Sequence, residues 1–306
     1  MNALPAFASV ERVIAERVVP RFEQISCPVC GAIRHEPVLR ARDHANGRLE
    51  FQMVRCVGCD LHFTNPRPTA DSIGQFYGAD YAPHARGHRP ERPLRKWYPQ
   101  DWLQKPVAGP MPRLLDFGCG AGHFLSAMAK QGWVATGLDA SPAMAEPHRE
   151  SRILAGTLPH PSLSPRSFEL ITMWHVLEHV HDPVEVLNHA RKLLVPGGSI
   201  VLAVPNAAGW QSRHYGADWF GLELPRHLSH FSEASLGRCA AAAGLRVEGV
   251  RFARHADWLR SSAMRAHHSR SDTPFSSLLR SKRIAQLFTW LRSRGSAGDA
   301  VLMRLG

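Results

Sequence analysis

The chain has 306 residues, of which 44% are hydrophobic and 21% charged, so a sizeable core can be buried and a wholly disordered chain is excluded. The formal charge is +11, which keeps an anionic partner in view. Nine Lys or Arg against Asp272 and Asp299 place most of it in residues 260–306, so the basicity belongs to a tail and the rest is nearly balanced.

Met1–Glu11 has no basic stretch followed by an apolar one, and no signal peptide is expected. Residues 1–65 hold two cysteine pairs, Cys27-Pro-Val-Cys30-Gly31 and Cys56-Val-Gly-Cys59, among short strand-like runs. Each C-x-x-C turn brings two sulfurs to one side, and two turns complete a tetrahedron of thiolates for Zn²⁺. Buried thiols or a redox pair are the alternatives. A site closed by four cysteines is expected to be structural, and zinc largely to define the fold of a unit of about 40 residues, too small for its own core. Cys119 and Cys239 stand alone, and a reducing cytoplasm is the expected compartment. Residues 66–111 are rich in Pro, His, Arg and aromatics without sustained period, and read as a linker with short helices covering the ligand cleft.

From residue 112 onward strand and helix alternate. Arg113–Phe117 reads as a strand, Ala121–Gln131 as a helix, Trp133–Leu138 as a strand, and Ser141-Pro142 as the start of a second helix. Phe168–Met173 is a strand, Pro183–Leu194 a helix stopped by Pro196-Gly197-Gly198, Ser199–Val204 a buried strand and Ser232–Ala243 a capped helix. Leu193–Ser212 is uncharged and long enough to span a bilayer, but Pro196, Gly197, Gly198, Pro205 and Asn206 break it. Leu278–Arg294 has helical apolar spacing with Arg280, Lys282, Arg283, Arg292 and Arg294 around it. It is expected to cover the sheet or the cleft, with a peripheral membrane contact as the alternative. Gly298–Leu305 reads as the last strand. This alternation predicts an α/β fold with a doubly wound, mainly parallel sheet and ligands at the carboxyl ends of its strands.

Asp116-Phe117-Gly118-Cys119-Gly120-Ala121-Gly122 lies between a predicted strand and helix, and Asp139 ends the next strand 21 residues after Gly118. Glycines there let backbone approach a ligand, and an acid at that distance suits a ribose hydroxyl pair. The third glycine comes one residue too early for a dinucleotide, with His123 in its place. Asp116 would repel a pyrophosphate but suits a sulfonium or ammonium group nearby.

These residues resemble the first motif of class I S-adenosylmethionine-dependent methyltransferases, Asp-x-Gly-x-Gly-x-Gly. The resemblance continues through Gly137-Leu138-Asp139, Gly156-Thr157-Leu158, Trp174-His175-Val176-Leu177-Glu178-His179-Val180 and Leu193–Gly198. It implies a Rossmann-like seven-stranded sheet and S-adenosylmethionine held by Asp116, Phe117, Gly118, Cys119, Gly120, Gly122, Asp139, Ala140, Thr157, Leu158, Trp174 and His175. Glu169 departs from the usual Asp, and no acid follows Gly156.

The cysteine pairs, followed by Leu61–Pro68, Phe76-Tyr77 and Tyr81, resemble bacterial methyltransferases with an N-terminal zinc-binding domain, sugar C-methyltransferases among them. Pro225-Arg226-His227-Leu228-Ser229-His230-Phe231-Ser232 is similar to the stretch that carries their base. The resemblance implies His227 as base, with His179 and His230 as further candidates; Arg226 stands where those enzymes have Glu. Trp219, Phe220, Tyr77 and Tyr81 are expected to wall the site. The expected function is methyl transfer to a small molecule, a sugar or glycan-pathway metabolite foremost. An RNA methyltransferase is the alternative, and a non-enzymatic zinc-bearing binding protein a third. Nucleic acid is not the expected partner, because residues 27–59 are not notably basic and the strand Phe168–Met173 runs into Trp174-His175 with no Asn-Pro-Pro-Tyr. Oligomeric state is not set by the sequence.

Overall fold

The structure is a computed structural model that describes residues 19–44, 49–77, 98–104, 111–141, 152–291 and 298–306. Tyr81, the helix expected from Ser141-Pro142, Arg292 and Arg294 lie outside the described residues. The N-terminal segment forms β1 (Phe22–Glu23), β2 (His35–Arg42), β3 (Glu50–Cys56), β4 (His62–Thr64) and β5 (Arg67–Pro68). Strands β2, β3 and β4 pair antiparallel, and β1 pairs with β5. Each cysteine pair sits in a turn closed by backbone, with Gly31 N–H donating to Cys27 O at 2.9 Å and Asp60 N–H to Cys56 O at 3.0 Å. A 3₁₀ turn, Ile73–Phe76, follows.

The second body is a sheet of seven strands: β6 (Arg113–Phe117), β7 (Val134–Asp139), β8 (Arg152–Ala155), β9 (Phe168–Trp174), β10 (Leu194–Pro205), β12 (Val247–Ala253) and β13 (Ala300–Leu305). Its order is β12-β13-β10-β9-β6-β7-β8. The neighbours from β10 to β8 run parallel, and β13 runs antiparallel to both β10 and β12. The chain starts the sheet at β6 and moves outward to β7 and β8, then returns to β9 on the other side of β6. That reversal opens a crevice at the carboxyl ends of β6 and β9, where doubly wound sheets bind ligands.

Helix α1 (His123–Lys130) buries Phe124, Leu125 and Met128. Helix α2 (Pro183–Leu193) starts on Asp182, whose carboxylate accepts from Glu185 N–H, and Pro183 is its first residue. Pro196-Gly197-Gly198 is an irregularity inside β10, whose register with β9 shifts between Leu194 and Ser199. Next come α3 (Trp210–Tyr215) and α4 (Glu233–Ala242), the latter closed by a reciprocal Ser232–Ser235 cap.

The expected single helix over 278–294 is two, α6 (Pro274–Leu279) and α7 (Lys282–Leu291), which pack with α5 (Ala256–His268) in a core that also takes in Phe51 and Met53 of β3. Leu279 and Ala285 are both 1% exposed, yet six residues apart they would face different sides of a continuous helix; the break lets both be buried. Helix α7 leaves Ile284, Leu287, Trp290 and Leu291 exposed. No helix among the described residues is long and apolar enough to cross a membrane.

The two bodies share structure. Ser229–His230 (β11) pairs antiparallel with β4, so the chain after β10 supplies the edge strand of the N-terminal sheet. They also share a core: Cys27, Cys56, Cys59, Leu61 and Phe63 pack in one buried cluster with Leu115, Phe117, Ile171, Phe231 and Leu236. The N-terminal unit, whose fold zinc is expected largely to define, is also held by the core it joins.

Candidate active site and cysteine centre

The loop after β6 turns on three glycines with positive φ, Gly118 at 74°, Gly120 at 51° and Gly122 at 73°. At Gly118 a Cβ would stand 2.2 Å from Val176 Cγ2, so the glycine lets the segment after β9 close on the loop. Asp139 ends β7 beside it. Its Oδ2 accepts from Gly120 N–H at 2.8 Å and its Oδ1 from Ser141 N–H at 2.9 Å, which fixes the carboxylate at the loop mouth.

Asp116 is buried and accepts from Thr172 Oγ1–H at 2.7 Å. Burial pushes its carboxyl up to about 7, the Thr172 bond opposes the shift, and the Asp139 charge adds to it. Tyr98, Phe124 and Trp174 form an aromatic cluster with ring centroids 4.6–5.3 Å apart. His175, with φ 58°, meets Trp258 in a tilted contact with ring centroids 5.2 Å apart. An open backbone loop, an acid braced at the end of the next strand and aromatic side chains beside them fit an adenosyl sulfonium. Its cationic centre suits Asp116, and its ribose suits Asp139.

Several expected contacts take another form. Phe117 is 3% exposed and belongs to the core. A Cβ at Gly137 would meet Cys119 Sγ at 2.6 Å, so the Cys119 side chain turns back onto β7 and only its backbone remains for a ligand. Leu158 is buried in the core, whereas Thr157 and Ala140 are exposed.

A second group assembles behind the end of β9. One ligating atom each from Glu178, His179 and His227 lies within 4.8 Å of the others, and the two imidazoles meet edge to face at 4.5 Å. His227 Nδ1 donates to Gly221 O at 2.8 Å. His179 Nδ1 lies 3.1 Å from Arg226 O and 3.0 Å from the Tyr77 hydroxyl.

The loop carrying His227 is pinned from both sides. Leu228 N–H donates to Glu178 O at 2.7 Å, and Thr64 Oγ1–H of β4 donates to His227 O at 2.7 Å. Arg67 Nη1 likewise holds His181 O at 2.7 Å. Strands β4 and β5 of the N-terminal segment thus brace the His227 loop and the stretch just after His179.

Burial sets the charges here. It holds His227 well below the usual histidine range, with His179 and His230 adding to the shift, and lowers His179. It raises the Glu178 carboxyl to about 7. Arg226, in the place of the expected Glu, is buried with Nη1 3.3 Å from Asp43 Oδ1 and Nε 3.7 Å from Glu223 Oε2. Glu223 restores a carboxylate to this loop, at the cost of a left-handed backbone with φ 35° and ψ 44°.

His230 leaves the cluster for the N-terminal sheet, where its Nε2 is 3.3 Å from Thr64 Oγ1 and burial holds it at about 3. It lines a separate cavity of about 700 Å³ together with Asp60, His62 and Glu233. Trp219 is in the core, while Phe220 lies 5.9 Å from Trp258. Glu178 and Glu223 were not singled out by the sequence; the signal for Glu178 was a lone acid in the otherwise apolar or histidine run Trp174–Val180.

Cys27, Cys30, Cys56 and Cys59 converge, with Sγ···Sγ distances of 3.4 Å for Cys27–Cys59 and 3.5 Å for Cys30–Cys56. All four sulfurs lie within 4.8 Å of one another. Tetrahedral zinc at a Zn–S distance near 2.3 Å needs sulfurs ~3.8 Å apart, so the cluster fits the ion. Burial raises the Cys59 thiol to about 11, and a bound cation would displace that proton.

The chain is 29% identical over 186 residues to the ubiquinone biosynthesis O-methyltransferase of Xanthomonas campestris pv. campestris, covering 55% of this chain and 78% of that one. It is 27% identical over 205 residues to the enzyme of the same name from Xylella fastidiosa, covering 61% and 82%. A solved S-adenosylmethionine-dependent methyltransferase from Mesorhizobium loti matches at TM-score 0.44 and 18% identity over 64% of this chain and 90% of that one. Residues 77–250, more than half of the chain, match the family model of the methyltransferase domain. With its glycine loop and sheet order, the chain belongs to that family and is a class I S-adenosylmethionine-dependent methyltransferase.

Proposed function

We propose that this enzyme methylates a hydroxylated small molecule at the Glu178–His179–His227 cluster, with the cofactor held by Gly118, Gly120, Gly122, Asp116 and Asp139. The bound cofactor supplies a methyl group on a sulfonium. The chain's own share is alignment, exclusion of water and removal of the acceptor's proton. The observation that carries the reading is the cluster's place, directly after β9, where Val176, two residues past the end of the strand, packs on Gly118. We assign acceptor deprotonation to His227, whose Nδ1 is committed to Gly221 O. His179 is its neighbour and His230 a structural support. Zinc on Cys27, Cys30, Cys56 and Cys59 is proposed as structural. Residues 1–65, 66–111 and 112–306 are proposed as zinc-binding, linking and catalytic parts.

A sugar or glycan-pathway acceptor is favoured by the resemblance of the N-terminal layout. A phenolic acceptor is the second reading, supported by Trp258, Phe220 and Trp174 near the crevice and by the O-methyltransferase relatives. A panel of nucleotide sugars and catechols assayed with labelled cofactor separates them. With an acceptor in hand, His227→Ala is expected to leave cofactor affinity intact and lower turnover by about 10²–10⁴. Unchanged turnover would reduce His227 to a structural residue.

A further inference from the structure

We infer that Glu178, His179 and His227 form a second metal site, separate from the cysteine cluster, for a divalent cation that accepts nitrogen and oxygen ligands together. Glu178 is 1% exposed, and among the described residues neither of its oxygens accepts a hydrogen bond; Oε1 approaches His175 Nδ1 at 3.3 Å. A carboxylate so enclosed is costly unless a charge meets it.

The two imidazoles are already oriented as ligands are. Each has Nδ1 against a backbone carbonyl, Gly221 O at 2.8 Å for His227 and Arg226 O at 3.1 Å for His179. This leaves Nε2 of each ring to ligate, the arrangement in which a second hydrogen bond fixes tautomer and ring plane. Arg226, a cation near the cluster among the described residues, is offset by Asp43 at 3.3 Å and Glu223 at 3.7 Å.

Two imidazoles with one carboxylate suit Zn²⁺, Mn²⁺, Fe²⁺ or Co²⁺ better than Ca²⁺ or Mg²⁺, which prefer oxygen. Three protein ligands leave a coordination position open, as in catalytic rather than structural sites. The catalytic role of this site rests on the proposed function; its binding does not. An acceptor hydroxyl at the open position would be acidified by the cation. Its proton passes to Glu223, whose Oε2 lies 3.8 Å from His227 Nε2. Its oxygen bonds the methyl carbon as the carbon–sulfur bond breaks and a neutral thioether leaves. With the cation bound, the base role assigned above to His227 passes to Glu223, and His227 acts as a ligand.

The test is Co²⁺ titration of the full chain after chelation, with bound metal counted by elemental analysis and weak visible d–d bands followed. Wild type is expected to bind one Co²⁺ more than Glu178→Gln or His227→Ala, or to bind it at least about tenfold more tightly. Equal stoichiometry and affinity in all three would overturn the site. Should a variant not fold, paramagnetic shifts of the His179 and His227 ring signals in wild type decide the matter, and their absence overturns the site. Calorimetry with S-adenosylmethionine on the same samples keeps the two readings apart. Cofactor binding without the extra Co²⁺ refutes the cation site alone, and Co²⁺ without cofactor binding refutes the cofactor loop alone.

Discussion

The glycine loop and the histidine cluster lie side by side and are built in opposite ways. Everything in the loop comes from one stretch of chain, Asp116 to Asp139, folded by local rules: a strand, a turn that needs φ > 0, a helix, a strand. Cluster residues come from three distant stretches, Tyr77, Glu178-His179 and Glu223–His227, and are held by Thr64 and Arg67 of the N-terminal sheet. Damage to the N-terminal sheet should therefore harm acceptor chemistry and spare cofactor binding, and damage to the loop should do the reverse.

Cys56→Ser separates them most sharply. It removes one ligand of the proposed zinc and disturbs β3 and the shared core, so elemental analysis should find that metal lost and turnover abolished. Calorimetry should still detect S-adenosylmethionine binding. Cofactor binding lost in step with turnover would show that the two regions are one cooperative unit.

Asp139→Ala cuts the other way. It removes the carboxylate that accepts from Gly120 and Ser141, and cofactor binding should weaken by about 1.5–3 kcal/mol, the usual worth of hydrogen bonds to a charged group. Zinc content should not change.

A third expectation concerns pH. Asp116, with its carboxyl raised to about 7, is mostly neutral below that pH and anionic above it, and only the anion attracts a sulfonium. Cofactor affinity should rise as pH increases through 7, by at most about tenfold per unit for one proton. Proton release on binding should be visible when calorimetry is repeated in buffers of different ionisation enthalpy. Asp116→Asn should flatten the profile, and a flat wild-type profile would remove Asp116 from the site.

Thr64→Val should have the smallest effect. It deletes one hydrogen bond to His227 O, worth about 0.5–1.5 kcal/mol. The loss is expected in turnover and thermal stability, with cofactor affinity unchanged.

The same contrast explains what the sequence could tell. Strands β6, β7, β9, β10 and β13, and helices α1, α2 and α4, each carry their own periodicity and caps, and all were legible. Strand β8 is four residues with exposed ends, and β12 mixes Glu248, Gly249 and Arg251 into its run; neither has a clean period to read. The cysteine pairs were legible because their geometry is local. The cluster was half legible. His179 and His227 stood in recognisable motifs, but Glu178 reads as a surface acid until tertiary packing encloses it. Glu223 replaces the acid missing at Arg226 only because an unusual backbone conformation turns it inward. His230 was drawn away by pairing with β4, which no motif announces.

That pairing also fixes how the protein can be cut. A fragment lacking the first 111 residues would keep the family's sheet and glycine loop, but Ser229–His230 would become an unpaired edge. Thr64 would no longer hold the carbonyl of His227, and the core face that receives Leu61 and Phe63 would lie open. Exposed strand edges beside apolar surface recruit other chains. The minimal methyltransferase domain of this enzyme should therefore aggregate when expressed alone, and adding back the N-terminal sheet as a separate polypeptide should restore its solubility.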